Sequence, residues 1–476
     1  MDQEHQPIPQ AGQPLRQRWQ GEIRVLAVLG GPIVVTQLLQ MATGVVDTIM
    51  SGRASAQDLA GVSIGVSLWI PIFLFSLGTL MALTPVVAHA RGAQQDDEIA
   101  PAVYQGFWIS LLASVLIVAL LVNIDPVLGW INVNDEIRPI TAGYLYAMAF
   151  GMPAILGFNV LRAYADGLSL TRPAMIASII SLAVNVPLNY VLIYGKLGFP
   201  AFGGVGCGWA SAAALWVSFA VMIGYVALAR GFRGTWLFTR VHPPQWQQIK
   251  ALLKLGVPIG CSYLVESSMF SVIALFLAVY GAVVVASHQI ALNVASLVFM
   301  IPLSLGLALT IRVGFLSGAG QPLAARFSAF TGVALALIYG TVSAVCLWVF
   351  APTIVSWYTP EYQVQRLAAE LLVLAAVFQL TDAVQVTCAG ALRGYKDTAV
   401  PMVMTVVAFW LLCLPLGYGL GMTDWFGPAL QARGFWIGLV LGLSVAAVFL
   451  STRLYLLSRR RILPPQTGHG FSAQVR

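Results

Sequence analysis

The sequence predicts an all-helical integral membrane protein with twelve transmembrane helices, arranged as two six-helix repeats related by a pseudo-twofold axis along the membrane normal. Of the 476 residues, 59% are hydrophobic and only 9% are charged, whereas soluble proteins carry roughly 25% charged residues. A transmembrane helix needs about 20 apolar residues, so this composition supplies roughly a dozen spans. The composition therefore excludes a water-soluble enzyme.

Twelve apolar runs, separated by short polar segments, mark the predicted helices. Several of these runs exceed 25 residues, which is more than a perpendicular span requires and implies tilted or bent helices. The predicted helices are 25–51, 59–88, 103–123, 140–161, 173–195, 208–229, 252–280, 286–314, 327–350, 367–391, 399–421 and 434–456.

The distribution of positive charge predicts the orientation of the chain. With the N-terminus in the cytoplasm, 20 of the 25 Lys and Arg residues fall on the cytoplasmic side. Cytoplasmic loops of membrane proteins carry an excess of these residues, so we expect both termini in the cytoplasm. The net charge of +7 then reflects orientation and not nucleic-acid binding, because the basic residues form no domain of their own.

Two copies of one pattern divide the chain. Residues 161–166 (LRAYAD) recur 231 positions later as residues 392–397 (LRGYKD), and Pro32 recurs 226 positions later as Pro258. Each copy holds six helices, an even number, so both copies cross the membrane in the same direction. The predicted organisation is a cytoplasmic N-terminal tail 1–24, an N-lobe 25–229, a cytoplasmic interlobe loop 230–250, a C-lobe 251–456 and a cytoplasmic C-terminal tail 457–476.

Each recurring segment places an Arg and an Asp four residues apart at a predicted helix exit. Arg162 with Asp166, and Arg393 with Asp397, have the spacing to pair with one another or to cap the helix end. The alternative is that all four side chains are solvated in cytoplasmic loops.

Three acidic residues lie inside predicted spans: Asp47, Glu266 and Asp382. A carboxylate at the centre of a bilayer costs about 2.5–3.5 kcal/mol on insertion scales, so such residues usually face a cavity and handle ions or protons. No Lys or Arg is predicted at comparable depth, so we expect the partner to be a proton, a metal ion or a cationic substrate. The alternative is a protonated carboxyl group hydrogen-bonded to a neighbouring helix.

Polar and aromatic side chains accompany these acids on the predicted helices. The asparagine pair and the glutamine–asparagine pair are each spaced by four residues and so share a helix face. Aromatic faces attract organic cations, although packing explains an aromatic residue equally well, and interhelical hydrogen bonds alone explain the polar pairs. The candidates are Gln37 and Gln40, Asn185 and Asn189, Gln289 and Asn293, and Phe299 with Phe378.

Motifs for other chemistries are missing. The sequence has no phosphate-binding loop with its Lys, and its five histidines show no zinc spacing. The Gly-x-Gly-Asp context of intramembrane aspartyl proteases is absent, and the five cysteines form no Cys-x-x-Cys pair. We therefore expect neither an enzyme nor a bound cofactor.

The motifs, in their order along the chain, resemble those of the multidrug and toxic compound extrusion (MATE) transporters, specifically the bacterial NorM-like branch. The resemblance extends from about residue 30 to residue 440. The residues that carry it are Pro32, the segment 37–52, Pro258 with Glu266, and the segments 288–293, 302–304, 312–314, 382–385 and 392–398.

The resemblance implies two six-helix lobes, alternating access, and export of cationic or lipophilic drugs in exchange for Na+ or H+ as the coupling ion. Glu266 and Asp382 would form the cation site of the C-lobe, and they would be metal ligands only with Na+ as that ion. Asp47 would form a polar cluster in the N-lobe with Asn185 and Asn189.

The resemblance also implies a monomer in a bacterial inner membrane, in contact with lipid, that binds small organic cations and needs neither nucleic acid nor an obligate protein partner. An alternative with a related two-lobed architecture is a flippase for a lipid-linked glycan precursor. A flippase would need deep basic residues to hold a diphosphate, whereas the predicted deep charges are acidic. A channel is a further alternative, since carboxylate rings select cations, but unequal acidic positions in the two repeats favour an exchanger.

Overall fold

The computed structural model describes residues 14–462 except 233, 236, 238, 239 and 426. Within these residues twelve helices are long and apolar enough to cross a membrane, which confirms the predicted number. This part of the chain contains no β-strand, so the predicted all-helical class is confirmed as well. The helices are α1 Leu15–Ala54, α2 Ala56–Gly92, α3 Asp96–Val122, α4 Arg138–Gly167, α5 Arg172–Tyr194, α6 Gly203–Leu228, α7 Trp246–Tyr280, α8 Ala282–Gly318, α9 Pro322–Ser356, α10 Tyr362–Gly394, α11 Ala399–Met422 and α12 Ala432–Arg460.

Most helices extend beyond the apolar runs that predicted them. An apolar run marks only the part of a helix inside the hydrocarbon, whereas backbone hydrogen bonds continue through polar residues at its ends. Residues 15–24, predicted as part of a tail, form the first turns of α1, and Glu22 is buried there. The remaining ends of the predicted tails, 1–13 and 463–476, lie outside the described residues.

Each half of the chain has its own apolar core. The larger cluster of buried residues lies almost entirely among α2 to α6, and a second cluster lies among α7 to α12. The segment between α6 and α7 lies against the N-terminal half, where the Tyr104 hydroxyl donates to the Leu237 carbonyl oxygen at 3.0 Å. The pseudo-twofold relation between the halves, which we continue to call the N-lobe and the C-lobe, stays a prediction.

The two lobes touch toward the end of the bundle at which α1 begins and α12 ends, which we call the terminal face. A Cβ atom on Gly78 of α2 would lie 2.7 Å from Cα of Gly260 in α7, and one on Gly318 of α8 would lie 2.0 Å from the carbonyl oxygen of His89 in α2. Only glycine permits such close helix crossings. A buried apolar cluster joins α1 to α8 nearby, formed by Leu26, Leu29, Ile33, Ala308, Leu309 and Ile311.

Replacing Gly318 by Val should push the lobes apart at the terminal face, because the added side chain would overlap the His89 backbone. With the native cysteines replaced, we expect the distance between spin labels at Gln95 and Gln321, which are exposed at this face on opposite lobes, to increase. Gly224→Val is the matched control, since nothing lies within 4 Å of the Cβ position of this α6 glycine. An unchanged distance in Gly318→Val would contradict the role of this crossing.

Candidate functional site

A cavity of about 670 Å³ lies between the two lobes, next to the contacts of the terminal face. Helices α1, α2, α4, α5 and α6 contribute its N-lobe wall, and α7, α8, α10 and α11 contribute its C-lobe wall. Asn185, Asn189 and Gln289 are not among the residues that line it. The predicted candidates that do line it are Gln37, Gln40, Asp47, Glu266, Phe299, Phe378 and Asp382.

In the N-lobe, Asp47 lies at the centre of a hydrogen-bonded cluster that joins α1, α5 and α6. The Asn189 amide donates to Oδ1 of Asp47 at 2.6 Å, and the Ser211 hydroxyl donates to Oδ2 at 2.6 Å. Asn185 donates to Ser211 at 3.2 Å and accepts from Asn189 at 3.0 Å. Both asparagines are fully buried, so they orient the Asp47 carboxyl group at the cavity wall and do not face the cavity themselves.

In the C-lobe, Glu266 of α7 and Asp382 of α10 lie close enough for their charges to interact. Asp382 is 3% exposed, and within the described residues its Oδ1 atom has no hydrogen-bond partner. The side-chain oxygen of Gln385, one turn along α10, likewise lacks a partner in the part of the chain that the structure describes. Buried oxygen atoms normally find a donor, so the Asp382 carboxyl group is suited to take up a proton, and its oxygen and that of Gln385 are suited to accept a cation.

Close packing of α8 against α10 positions this side of the cavity. A Cβ atom on Gly390 would lie 2.1 Å from the carbonyl oxygen of Gly306, and the Thr310 hydroxyl donates to the Gly390 carbonyl at 2.9 Å. Asp382 and Phe299 each lie about two helical turns from this crossing, on the same side of it. The acid and the aromatic ring therefore lie at similar depth in the cavity wall.

The two predicted aromatic residues, Phe299 and Phe378, both line the cavity. Phe378 packs at an edge-on angle against Trp436 with 5.9 Å between ring centroids, and against Phe270 with 6.4 Å. Gln289, in contrast, is exposed and lies outside the cavity lining. Its spacing from Asn293 defines a helix face, but only packing against other helices decides what that face meets.

Two arginines also line the cavity, so the expectation that no basic residue lies near the acids is wrong. Arg162 donates to the side-chain oxygen of Gln37 at 3.0 Å. Its Nε atom lies 3.6 Å from Asp166, which confirms that predicted pair. Arg393 lies close enough to Glu266 for their charges to interact.

The second predicted pair, Arg393 with Asp397, is wrong. Arg393 donates to the Tyr263 hydroxyl at 3.0 Å, and Asp397 pairs with Arg453 of α12 at 2.7 Å. Helix α10 ends before Asp397, whereas Asp166 still lies inside α4. A spacing of four residues brings two side chains together only where the helix is continuous, so the two repeats differ here.

Acids outnumber bases around the cavity. An excess of carboxyl groups attracts cations and repels anionic substrates. The charged residues that line the cavity are the acids Asp47, Asp166, Glu266 and Asp382 and the bases Arg162 and Arg393.

Reasoning from the sequence missed an ion pair that joins the lobes. Arg312 of α8 donates from Nε and Nη2 to the two carboxylate oxygens of Glu22 in α1, at 2.8 and 2.9 Å. The two side chains are 0% and 1% exposed, so the pair is buried between the lobes at the terminal face. A signal was present, because Arg312 falls inside the predicted span 286–314, where a guanidinium group needs an acidic partner.

Comparison with known proteins identifies similar sequences along nearly the whole chain. The MatE family model matches residues 32–191 and again residues 258–419. The chain is 46% identical over 446 residues to the multidrug resistance protein PmpM of Pseudomonas aeruginosa, covering 94% of each chain. It is 46% identical over 448 residues to the multidrug resistance protein MdtK of Yersinia pseudotuberculosis, covering 93% of this chain and 97% of the relative.

Solved structures show the same fold. The crystal structure of the eukaryotic MATE transporter AtDTX14 superimposes with a TM-score of 0.82 at 20% sequence identity. The match covers 94% of this chain and all of the other.

Proposed function

This chain belongs to the MatE family, and we propose that it is a multidrug efflux antiporter that exports organic cations and lipophilic drugs in exchange for Na+ or H+. Its family consists of transporters and not of enzymes. The observation that carries the proposal is the cavity between the lobes, whose lining includes four acids and two arginines. This balance supports a cationic substrate, and it argues against a flippase that holds a diphosphate.

We propose that the C-lobe binds the coupling ion and the N-lobe attracts the drug. In the C-lobe, Glu266 and Asp382 take up the coupling ion, because Asp382 has an acceptor oxygen without a donor among the described residues. With Na+ as that ion, these two carboxyl groups are its ligands. In the N-lobe, Asp47 attracts the cationic drug, and its protonation removes that attraction and favours release.

We propose alternating access with the terminal face toward the cytoplasm of a bacterium and the protein in the inner membrane. The excess of Lys and Arg at that face supports this orientation. The crossing of Gly78 with Gly260 and the buried pair of Glu22 with Arg312 support a state in which the cavity is closed toward this face. The protein would then be in its outward-directed state, in which the cavity releases a drug and binds an ion.

The proposal is tested by reconstituting the full chain as a monomer in lipid vesicles and following transport of a fluorescent cationic dye. We expect dye movement against its gradient when a H+ or a Na+ gradient is imposed, and loss of this movement when an ionophore dissipates that gradient. The gradient that drives transport identifies the coupling ion. Dye movement that responds to neither gradient would contradict an antiporter.

Asp47→Asn should bind a cationic drug more weakly and should release fewer protons when the drug binds. Drug binding and proton binding are reciprocal, so a drug that is displaced by protonation must itself displace a proton. Proton release on drug addition can be measured in weakly buffered detergent solution at several pH values. The control is Asp424→Asn, since Asp424 is exposed and lies outside the cavity lining. Equal proton release from wild type and Asp47→Asn would exclude Asp47 as a proton carrier and leave Glu266 and Asp382.

A further inference from the structure

Three basic side chains lie at the terminal face of the C-lobe, and none of them forms an ion pair within the described residues. Arg326 lies in the second turn of α9, Lys396 lies between α10 and α11, and Arg461 follows α12. Within the described residues none of the three has a carboxylate oxygen within 4.0 Å. Neighbouring cations are neutralised, since Arg453 pairs with Asp397 and Arg312 with Glu22.

Tyr395, which directly precedes Lys396 in the chain, contacts Arg461. Arg461 donates to the Tyr395 carbonyl oxygen at 2.7 Å, and its guanidinium carbon lies 5.0 Å from the centre of the Tyr395 ring. The charges of Arg461 and Arg326 both act on the Tyr395 phenol group. We call these four residues, Arg326, Tyr395, Lys396 and Arg461, the basic cluster.

The described residues leave the basic cluster without a paired carboxylate. Burial lowers the pKa of Lys396, and the charge of Arg461 lowers it further, although Glu98 acts in the opposite direction. A negatively charged oxygen beside Lys396 and Arg461 would compensate these cations.

Apolar side chains border the basic cluster. Leu323 lies one turn before Arg326 and is 63% exposed, while Tyr455 and Leu456 in the last turns of α12 are 44% and 46% exposed. The Arg326 guanidinium carbon lies 5.3 Å from the centre of the Tyr455 ring, so the ends of α9 and α12 form one continuous surface. This surface lies where membrane helices end, so apolar groups and cations meet at the level of lipid headgroups.

We propose that the basic cluster binds the phosphate group of an anionic phospholipid, with Leu323 and Tyr455 in contact with its acyl chains. Basic pockets between transmembrane helices on the cytoplasmic side are suited to anionic headgroups. A lipid fits better than free phosphate, because only a lipid would cover the exposed apolar residues beside the cations. The lipid would bind outside the proposed drug cavity, since no residue of the basic cluster lines that cavity.

Native mass spectrometry of the purified full chain can test the proposal, with titrations of phosphatidylglycerol, phosphatidylcholine and inorganic phosphate. We expect phosphatidylglycerol to bind more tightly than phosphatidylcholine. The double variant Arg326→Gln/Arg461→Gln should lose about fivefold in affinity for each cation removed, or about 25-fold in total. The matched control is Arg172→Gln/Arg240→Gln, which removes two exposed cations from the same face without touching the basic cluster. We expect it to bind phosphatidylglycerol like wild type.

Three results would overturn the proposal. The first is equal binding of phosphatidylglycerol and phosphatidylcholine by wild type. The second is an equal loss of affinity in the control and in the Arg326→Gln/Arg461→Gln variant, or no loss in either, which would indicate general charge attraction or a site elsewhere. The third is binding of inorganic phosphate as tight as that of phosphatidylglycerol, which would indicate a site for the free ion.

Discussion

Asp382→Asn and Glu266→Gln should each reduce gradient-driven dye transport to the level of protein-free vesicles. The two carboxyl groups are close enough for their charges to interact, and the site of Asp382 is almost fully buried. An amide keeps the size of the side chain but can neither carry the negative charge nor exchange a proton. Without a group that binds the coupling ion, the ion gradient no longer shifts the equilibrium between the two orientations of the cavity.

The controls for this prediction are Asp424→Asn and Glu361→Gln, which make the same chemical changes at exposed positions outside the cavity. They should transport dye like wild type. Each variant is first checked for monodisperse elution in detergent, so that lost transport is not lost folding. Wild-type transport by a well-folded Asp382→Asn protein would rule out the proposed role of the C-lobe pair.

Glu22→Met and Arg312→Met should each open the terminal face and lower transport strongly. Removing one partner of a buried ion pair costs roughly 3–5 kcal/mol. This cost falls on the state in which the lobes touch, because the pair is buried only between them. A cost of about 3 kcal/mol changes the ratio of the two orientations by roughly a hundredfold. Spin labels at Gln95 and Gln321 should report the longer distance.

The double variant Glu22→Met/Arg312→Met distinguishes the loss of a specific ion pair from a general disruption of packing by each substitution. Two apolar side chains of similar volume often replace a buried ion pair without loss of stability, so the double variant should lie closer to wild type than either single variant in both distance and transport. Effects that simply add in the double variant would show that the two residues act independently.

Several features were predictable from the sequence because they depend on local composition. Backbone groups in lipid must be hydrogen-bonded within the protein, and apolar runs of about 20 residues or more have the length of membrane-spanning helices. The cost of burying charge singled out Asp47, Glu266 and Asp382, and all three line the cavity. The repeat that the motifs predicted stays a prediction.

Helix ends were less predictable, because hydropathy marks only the part of a helix inside the lipid, whereas the helical backbone continues beyond it. Glu22 lies only three residues before the predicted first helix, in a segment predicted to be a tail. The helix continues through this segment and carries Glu22 into the interface between the lobes.

Only the tertiary structure decided which side chains meet. Asp47 binds Asn189 from 142 positions away and Ser211 from 164 positions away, and Arg312 binds Glu22 from 290 positions away. Periodicity assigns a residue to a face of its own helix, but the rotation and depth of that helix depend on contacts such as those of Gly306 with Gly390. For this reason Asp397 pairs with Arg453 and not with Arg393, and Gln289 lies outside the cavity lining.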